Sequence, residues 1–291
     1  RIVRPYIDGS KSSLGANPSG STLSGHLIFG ELAEQTGDRE YVELTRAAAD
    51  LGFDEHGKLR DAMPFHSEMS DAVFMGIPIL VRTGRLTGES KYHDMAIRHL
   101  QFMLTLNLRS DGLHQHSPLD PAGTAWGRGN GFPALGLALA LSDLPRDGPH
   151  HAEMLAEFRA HLTEMIRHQD EMGMWHQVVD HPESYREFTV TCMTTFAITR
   201  GLRNGWLDRS TFEPVVRRAW EAIKCRIGAE GRLVDVCTGT GKQKSFRDYL
   251  DRKAILGPDD RGGAMALMVS TELAFATREN SVELLDAGTS D

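Results

Sequence analysis

Two short stretches decide the architecture: Glu34-Gln-Thr-Gly37-Asp-Arg-Glu-Tyr41 and Arg85-Leu-Thr-Gly88-Glu-Ser-Lys-Tyr92. In each, an apolar-periodic segment ends at a Thr-Gly pair, an acidic residue follows, and the next periodic segment opens at a tyrosine. Glycine closes a helix here because it enters left-handed backbone without a Cβ clash. The pattern predicts a tight helical hairpin, made twice. Looser versions recur near Gly148 and Gly205, so the unit repeats at intervals above 50 residues, longer than common solenoid repeats.

Outward from these joints, apolar residues recur at helical spacing and strand signals are weak. The expected helical stripes run 23–32, 41–51, 73–80, 92–104, 135–141, 154–166, 193–202, 212–227 and 265–276. The chain also opens at Arg1 inside what reads as a helix, with Ile2, Val3, Tyr6 and Ile7. Very apolar, Gly/Ala-rich helices alternate with more charged ones at 39–51, 151–168 and 210–228. The first kind suits an inner ring and the second an outer ring. Six such pairs make an all-α (α/α)6 barrel, a toroid of hairpins, here expected to lack part of its first helix. A straight helical array is the competing reading. No Pro/Ser-rich linker divides residues 1–291, so one catalytic domain is expected. Its functional residues should sit in the long polar connections 52–68, 107–131, 169–188 and 229–262, because loops at one end of a rigid ring carry function.

Composition narrows the function classes. Net charge is −8 with no basic run, which argues against a phosphate-neutralising surface and hence against nucleic acid as partner. Cys192, Cys225 and Cys237 are the only cysteines. Three without a CxxC spacing give neither a disulfide framework nor a zinc site, and no metal or other cofactor is expected. No apolar run approaches the roughly 20 residues of a membrane helix, so no membrane association is expected. Oligomeric state stays open, and a bacterial cytoplasm or periplasm is the expected compartment.

Four segments carry candidate chemistry. Trp126-Gly-Arg-Gly-Asn-Gly-Phe132 alternates three glycines with an indole, a guanidinium and a carboxamide. Those groups suit an anionic sugar, by flat apolar face, carboxylate fork and mixed hydrogen bonding. Just upstream, His114-Gln-His116-Ser-Pro-Leu-Asp120 is an irregular loop, since Pro118 and Pro121 exclude a helix. Asp71, after His66-Ser-Glu-Met-Ser70, precedes a strongly apolar helix and reads either as its N-cap or as a carboxylate facing a cavity. Trp175-His176-Gln177 with Tyr185, Arg186 and Glu187 is another sugar-friendly mixture, or a core plug at a helix end. The segment 235–263 is rich in Gly, Asp and Arg, but lacks the lysine pattern of a phosphate loop. No Gly-x-Ser-x-Gly elbow is present.

Together, Ser70-Asp71-Ala-Val-Phe-Met-Gly76, the 126–132 segment, Met174-Trp-His-Gln-Val-Val-Asp180 and Asp259-Asp-Arg-Gly-Gly263 resemble the unsaturated uronyl hydrolases, glycoside hydrolase families 88 and 105. The likeness is closest to the unsaturated rhamnogalacturonyl hydrolase branch. It implies an (α/α)6 barrel acting on lyase-generated oligosaccharides whose non-reducing end is a 4,5-unsaturated uronate. In such enzymes an aspartic acid protonates C4 and water adds at C5, so the bond is lost by hydration of an alkene. The resemblance implies Asp120 as proton donor and water activator, with Asp71 as partner carboxylate. His116, Arg128 and His176 are implied as anchors for the substrate carboxylate, Trp126 and Trp175 as stacking faces, and Asn130, Gln177 and Glu187 as further sugar contacts. Two departures stand out: four residues separate His116 from Asp120 where the family usually has three, and Phe132 stands where tryptophan is common. A sugar epimerase on the same toroid is the alternative, with His114, His116 and His176 as its acid–base set.

Overall fold

The computed structural model describes residues 3–65, 68–279 and 282; Ile2, His66 and Ser67 lie outside the described residues. In chain order the helices are α1 (Arg4–Ile7), α2 (Gly20–Gly25), α3 (Leu27–Thr36), α4 (Arg39–Ala49), α5 (Ala72–Thr87), α6 (Lys91–Asn107), α7 (Gly127–Asp143), α8 (His151–Met165), α9 (Phe188–Arg203), α10 (Arg209–Lys224), α11 (Phe246–Leu250) and α12 (Asp260–Arg278). Gly37 and Gly88 end α3 and α5 in left-handed backbone, with φ of 76° and 73°. The two hairpin joints therefore form as the Thr-Gly signature predicts.

The rings are an (α/α)6 barrel arrangement. Helix α5 packs on α7, α7 on α9 and α9 on α12, with α2 and α3 against α5; α4, α6, α8 and α10 lie outside, each beside its hairpin partner. Helices α5, α7 and α9 are buried along nearly their whole length, as helices apolar all round must be. α4 and α10 bury one stripe and turn charge outward. Helix α12 is less enclosed: Leu267 and Phe275 are exposed, and a groove of about 640 Å³ runs between its outer face and Glu31 of α3. One large apolar cluster spans both rings.

Three expectations need correction. The stripe 23–32 is two helices, because the chain turns at His26. The connection expected at 107–131 ends early, since α7 begins at Gly127. Its glycines make close approaches rather than a loop: a Cβ on Gly127 would lie 2.5 Å from the His176 carbonyl, and one on Gly131 2.9 Å from Met193 Sδ. Third, the 229–262 connection holds an antiparallel ribbon, β1 (Leu233–Cys237) with β2 (Ala254–Gly257). Asp235, at φ 63°, lies where its register slips, so no clean alternation marks the strand.

Candidate active site

Helices α5, α7, α9 and α12 have Asp71, Trp126, Glu187 and Asp259 as their N-cap residues. Three of these starts meet at the turn after β1. Arg128 donates to the carbonyls of Cys237 and Thr238, each at 2.8 Å, and Glu187 accepts the Cys237 N–H at 2.9 Å. Arg261, paired with Asp259 at 2.9 Å, lies against Gly239. The fourth start joins through the 116–126 loop, where Ser70 N–H donates to the His116 carbonyl at 3.0 Å. Two of these starts are capped by their own carboxylates, α9 by Glu187 on the Val190 N–H and α12 by Asp259 on the Gly262 N–H.

Asp71 is 7% exposed. It occupies the N-cap position of α5, yet its side chain makes no capping bond. The carboxylate therefore does not act as the cap of the helix it starts. Its Oδ1 lies 3.2 Å from His116 Nε2, with no aligned hydrogen bond to either atom. Ser70 Oγ, also buried and without a protein partner, sits where a Cβ on Gly129 would come within 3.0 Å. His116 Nδ1 is 2.7 Å from Tyr249 Oη, and the imidazole packs 4.4 Å from the Trp126 ring, centroid to centroid. Tyr249 is delivered by α11, inside the ribbon excursion, 133 residues away.

Asp120 is 2% exposed and held differently. Its Oδ1 accepts the Ala122 N–H at 3.0 Å; its Oδ2 accepts the Thr124 N–H at 3.3 Å and a short bond from the Thr124 hydroxyl. The carboxylate thus folds its own turn. Burial pushes the Tyr249 hydroxyl up to about 12, and the charges of Asp120 and then Asp71 add to the effect. One phenol therefore feels both carboxylates.

The sequence profile described as Glycosyl Hydrolase Family 88 matches residues 22–276. The chain belongs to glycosyl hydrolase family 88. Among curated relatives, an unsaturated 3S-rhamnoglycuronyl hydrolase of Formosa agariphila is 32% identical over 181 residues, 56% of this chain and 48% of that protein. The unsaturated rhamnogalacturonyl hydrolase YesR of Bacillus subtilis is 25% identical over 249 residues, 79% of this chain and 70% of that one. The chain thus spans about half the length of the first and over two thirds of the second. In fold it is similar to a possible family 105 member from Salmonella enterica, with TM-score 0.77 at 23% identity, covering 95% of this chain and 78% of that one. It is also similar to the unsaturated glucuronyl hydrolase of Bacillus sp. GL1, with TM-score 0.65 at 16% identity, covering 94% and 77%.

In this family 88 chain, several residues expected to touch sugar are instead enclosed by protein. Trp175 is fully buried and donates its indole N–H to the Met165 carbonyl at 2.7 Å; it is the core plug. Trp126 is fully buried between His116 and the Arg128 guanidinium, which lies 4.7 Å over its ring. Arg128 spends its fork on two carbonyls rather than on a carboxylate. Asn130 accepts the His114 N–H at 2.8 Å and donates to the His114 and Trp126 carbonyls, acting as a strand partner for the loop. Glu187 caps α9 through the Val190 N–H. Gln177, fully buried, donates to the Tyr249 carbonyl at 3.1 Å. His176 binds the Ser184 carbonyl and faces Asp170 at 3.3 Å. Its neighbour Arg186 helps hold the Asp170 carboxyl below the usual range against burial. The histidines of the epimerase alternative are each engaged by other protein groups: His116 by Tyr249 and His176 by the Ser184 carbonyl. His114 packs edge-on against His161 at 4.8 Å, and burial, then His161, drives its pKa well down. Of the residues named from sequence, Asp71, His116 and Asp120 come together; the others form the shell that holds them. Tyr249 was missed as a site residue, because nothing local shows that α11 folds back onto His116.

Proposed function

We propose that this chain removes a 4,5-unsaturated galacturonyl or glucuronyl residue from the non-reducing end of lyase-generated oligosaccharides, by hydrating the C4=C5 bond. The observation that carries the reading is Asp71: a buried carboxylate at an inner-helix start, not used as a cap, beside His116, whose other ring nitrogen meets the Tyr249 phenol. The relatives, unsaturated rhamnoglycuronyl and rhamnogalacturonyl hydrolases, favour uronate linked to rhamnose.

Asp120 is the proton donor to C4 and Asp71 its partner carboxylate. Protonation leaves positive charge at C5, shared with the ring oxygen. Water adds at C5 and gives its proton to a carboxylate. The hemiketal then opens and the sugar departs. To act as acid, Asp120 exchanges its contact with the Thr124 hydroxyl for one with C4 of the substrate. Positioned proton transfer of this kind contributes roughly 10²–10⁴-fold. The test is incubation with defined unsaturated disaccharides. The conjugated uronate absorbs in the ultraviolet, and the hydrolase consumes that absorbance. Persistent absorbance across galacturonyl and glucuronyl substrates refutes the reading.

A further inference from the structure

We propose that Tyr249 is a positioning residue that holds His116 as its Nε2–H tautomer, so that the site presents a hydrogen-bond donor beside the Asp71 carboxylate; the catalytic part of this role rests on the hydrolase reading above. Proton counting carries the argument. The Tyr249 oxygen has two hydrogen-bond partners among the described residues: the Gln243 N–H at 3.2 Å and His116 Nδ1 at 2.7 Å. A backbone N–H can only donate, so the phenol oxygen accepts from Gln243. Among the described residues the phenolic proton has no hydrogen-bond acceptor other than His116 Nδ1, so Nδ1 takes it. A neutral imidazole carries its single proton on the other nitrogen. That nitrogen is Nε2, 3.2 Å from Asp71 Oδ1. In the opposite tautomer a bare Nε2 would lie within 3.2 Å of the Asp71 carboxylate, in a buried place where an unmatched acceptor is costly.

Position supports the assignment. Tyr249 and His116 are both fully buried and meet edge to face, 5.4 Å between centroids. The phenol is pinned from both ends, since the Tyr249 carbonyl accepts from Gln177. Burial keeps it protonated far above neutral pH. The titratable groups facing this pair are Asp71 from the start of α5, Asp120 from the 117–124 turn and Asp248 from α11. All are acidic, so among the described residues facing the pair a ring N–H is the donor that a titratable side chain offers there besides the phenol.

The test is Tyr249→Phe, which keeps ring volume and removes the phenolic proton. Nitrogen chemical shifts of histidine-labelled protein, assigned with His116→Gln, read the tautomer without reference to activity. Wild type should show His116 Nδ1 bare and Nε2 protonated, and the variant a mixture. Turnover on an unsaturated disaccharide should fall about tenfold, the size of one lost hydrogen bond to an ionic site, with KM little changed. A protonated Nδ1 in wild type overturns the proposal. So does a variant with the same tautomer and the same turnover. A correct tautomer in a wild-type protein that leaves every unsaturated uronate untouched refutes the hydrolase reading and leaves the tautomer standing.

Discussion

Asp71 and Asp120 are the same chemical group at similar burial, and the chain holds them in opposite ways. Asp71 stands at a helix start without capping it, and its nearest oxygen meets an imidazole from a distant segment. Asp120 is gripped by three donors of its own turn. The first is oriented by tertiary packing and contributes little to its own helix; the second is a local structural knot. A carboxylate that the fold does not need is free for chemistry, whereas one that ties a turn must serve two purposes.

Variants can break this contrast. The largest effect is expected from Asp71→Asn: turnover should fall by roughly 10²–10⁴, with the urea midpoint nearly unchanged because no cap is lost. A variant that stays active removes Asp71 from the mechanism. Asp120→Asn should also lose turnover, and in addition about 1–3 kcal/mol of stability, because an amide N–H₂ would face the Thr124 donors. Equal stability of the two Asn variants would erase the distinction drawn here. Thr124→Val sharpens it: the turn loses one donor, with a cost near 1 kcal/mol in urea unfolding.

A pH test separates the two sides without mutation. His99 is fully buried; it accepts the Met63 N–H at 3.1 Å and meets the Ala72 carbonyl, next to Asp71, at 2.9 Å. Burial lowers its pKa from 6.5 to about 4, only partly offset by the Ala72 carbonyl. The folded state therefore binds this proton less readily than the unfolded chain. Stability is complete above about 6.5 and is lost as pH falls toward 4, by about 2 kcal/mol at pH 5. Amide exchange should rise first at the start of α5, on the Asp71 side, and not in the 117–124 turn. His99→Gln should flatten that dependence. The smallest effect belongs to Glu187→Gln, which should cost about 1 kcal/mol as a weakened α9 cap and leave KM nearly unchanged.

Much of this was legible from residues alone where the cause is local. Thr-Gly joints specify helix ends because φ near 75° is a glycine conformation. Apolar stripes separate inner from outer helices because burial follows periodicity. The carboxylates Asp71 and Asp120 stood out by context. In the 126–132 segment only the loop reading failed, because glycines that permit positive φ and glycines that permit close packing look identical in a sequence. Its Arg and Asn hold backbone, and its Trp packs against the Arg guanidinium. The ribbon at 233–257 was invisible because its strands are short and its register slips at Asp235.

Sequence by itself determined the helical hairpins, their inner and outer faces, the family resemblance and the two acidic positions. Tertiary structure alone decided which oxygen of which carboxylate is free, which aromatics are core, and that a tyrosine 133 residues from His116 sets its hydrogen bonding. Helix ends and burial stripes depend on neighbours within a turn or two of chain. The direction of a buried polar group depends on whichever segment packs against it, and ring closure chooses that segment.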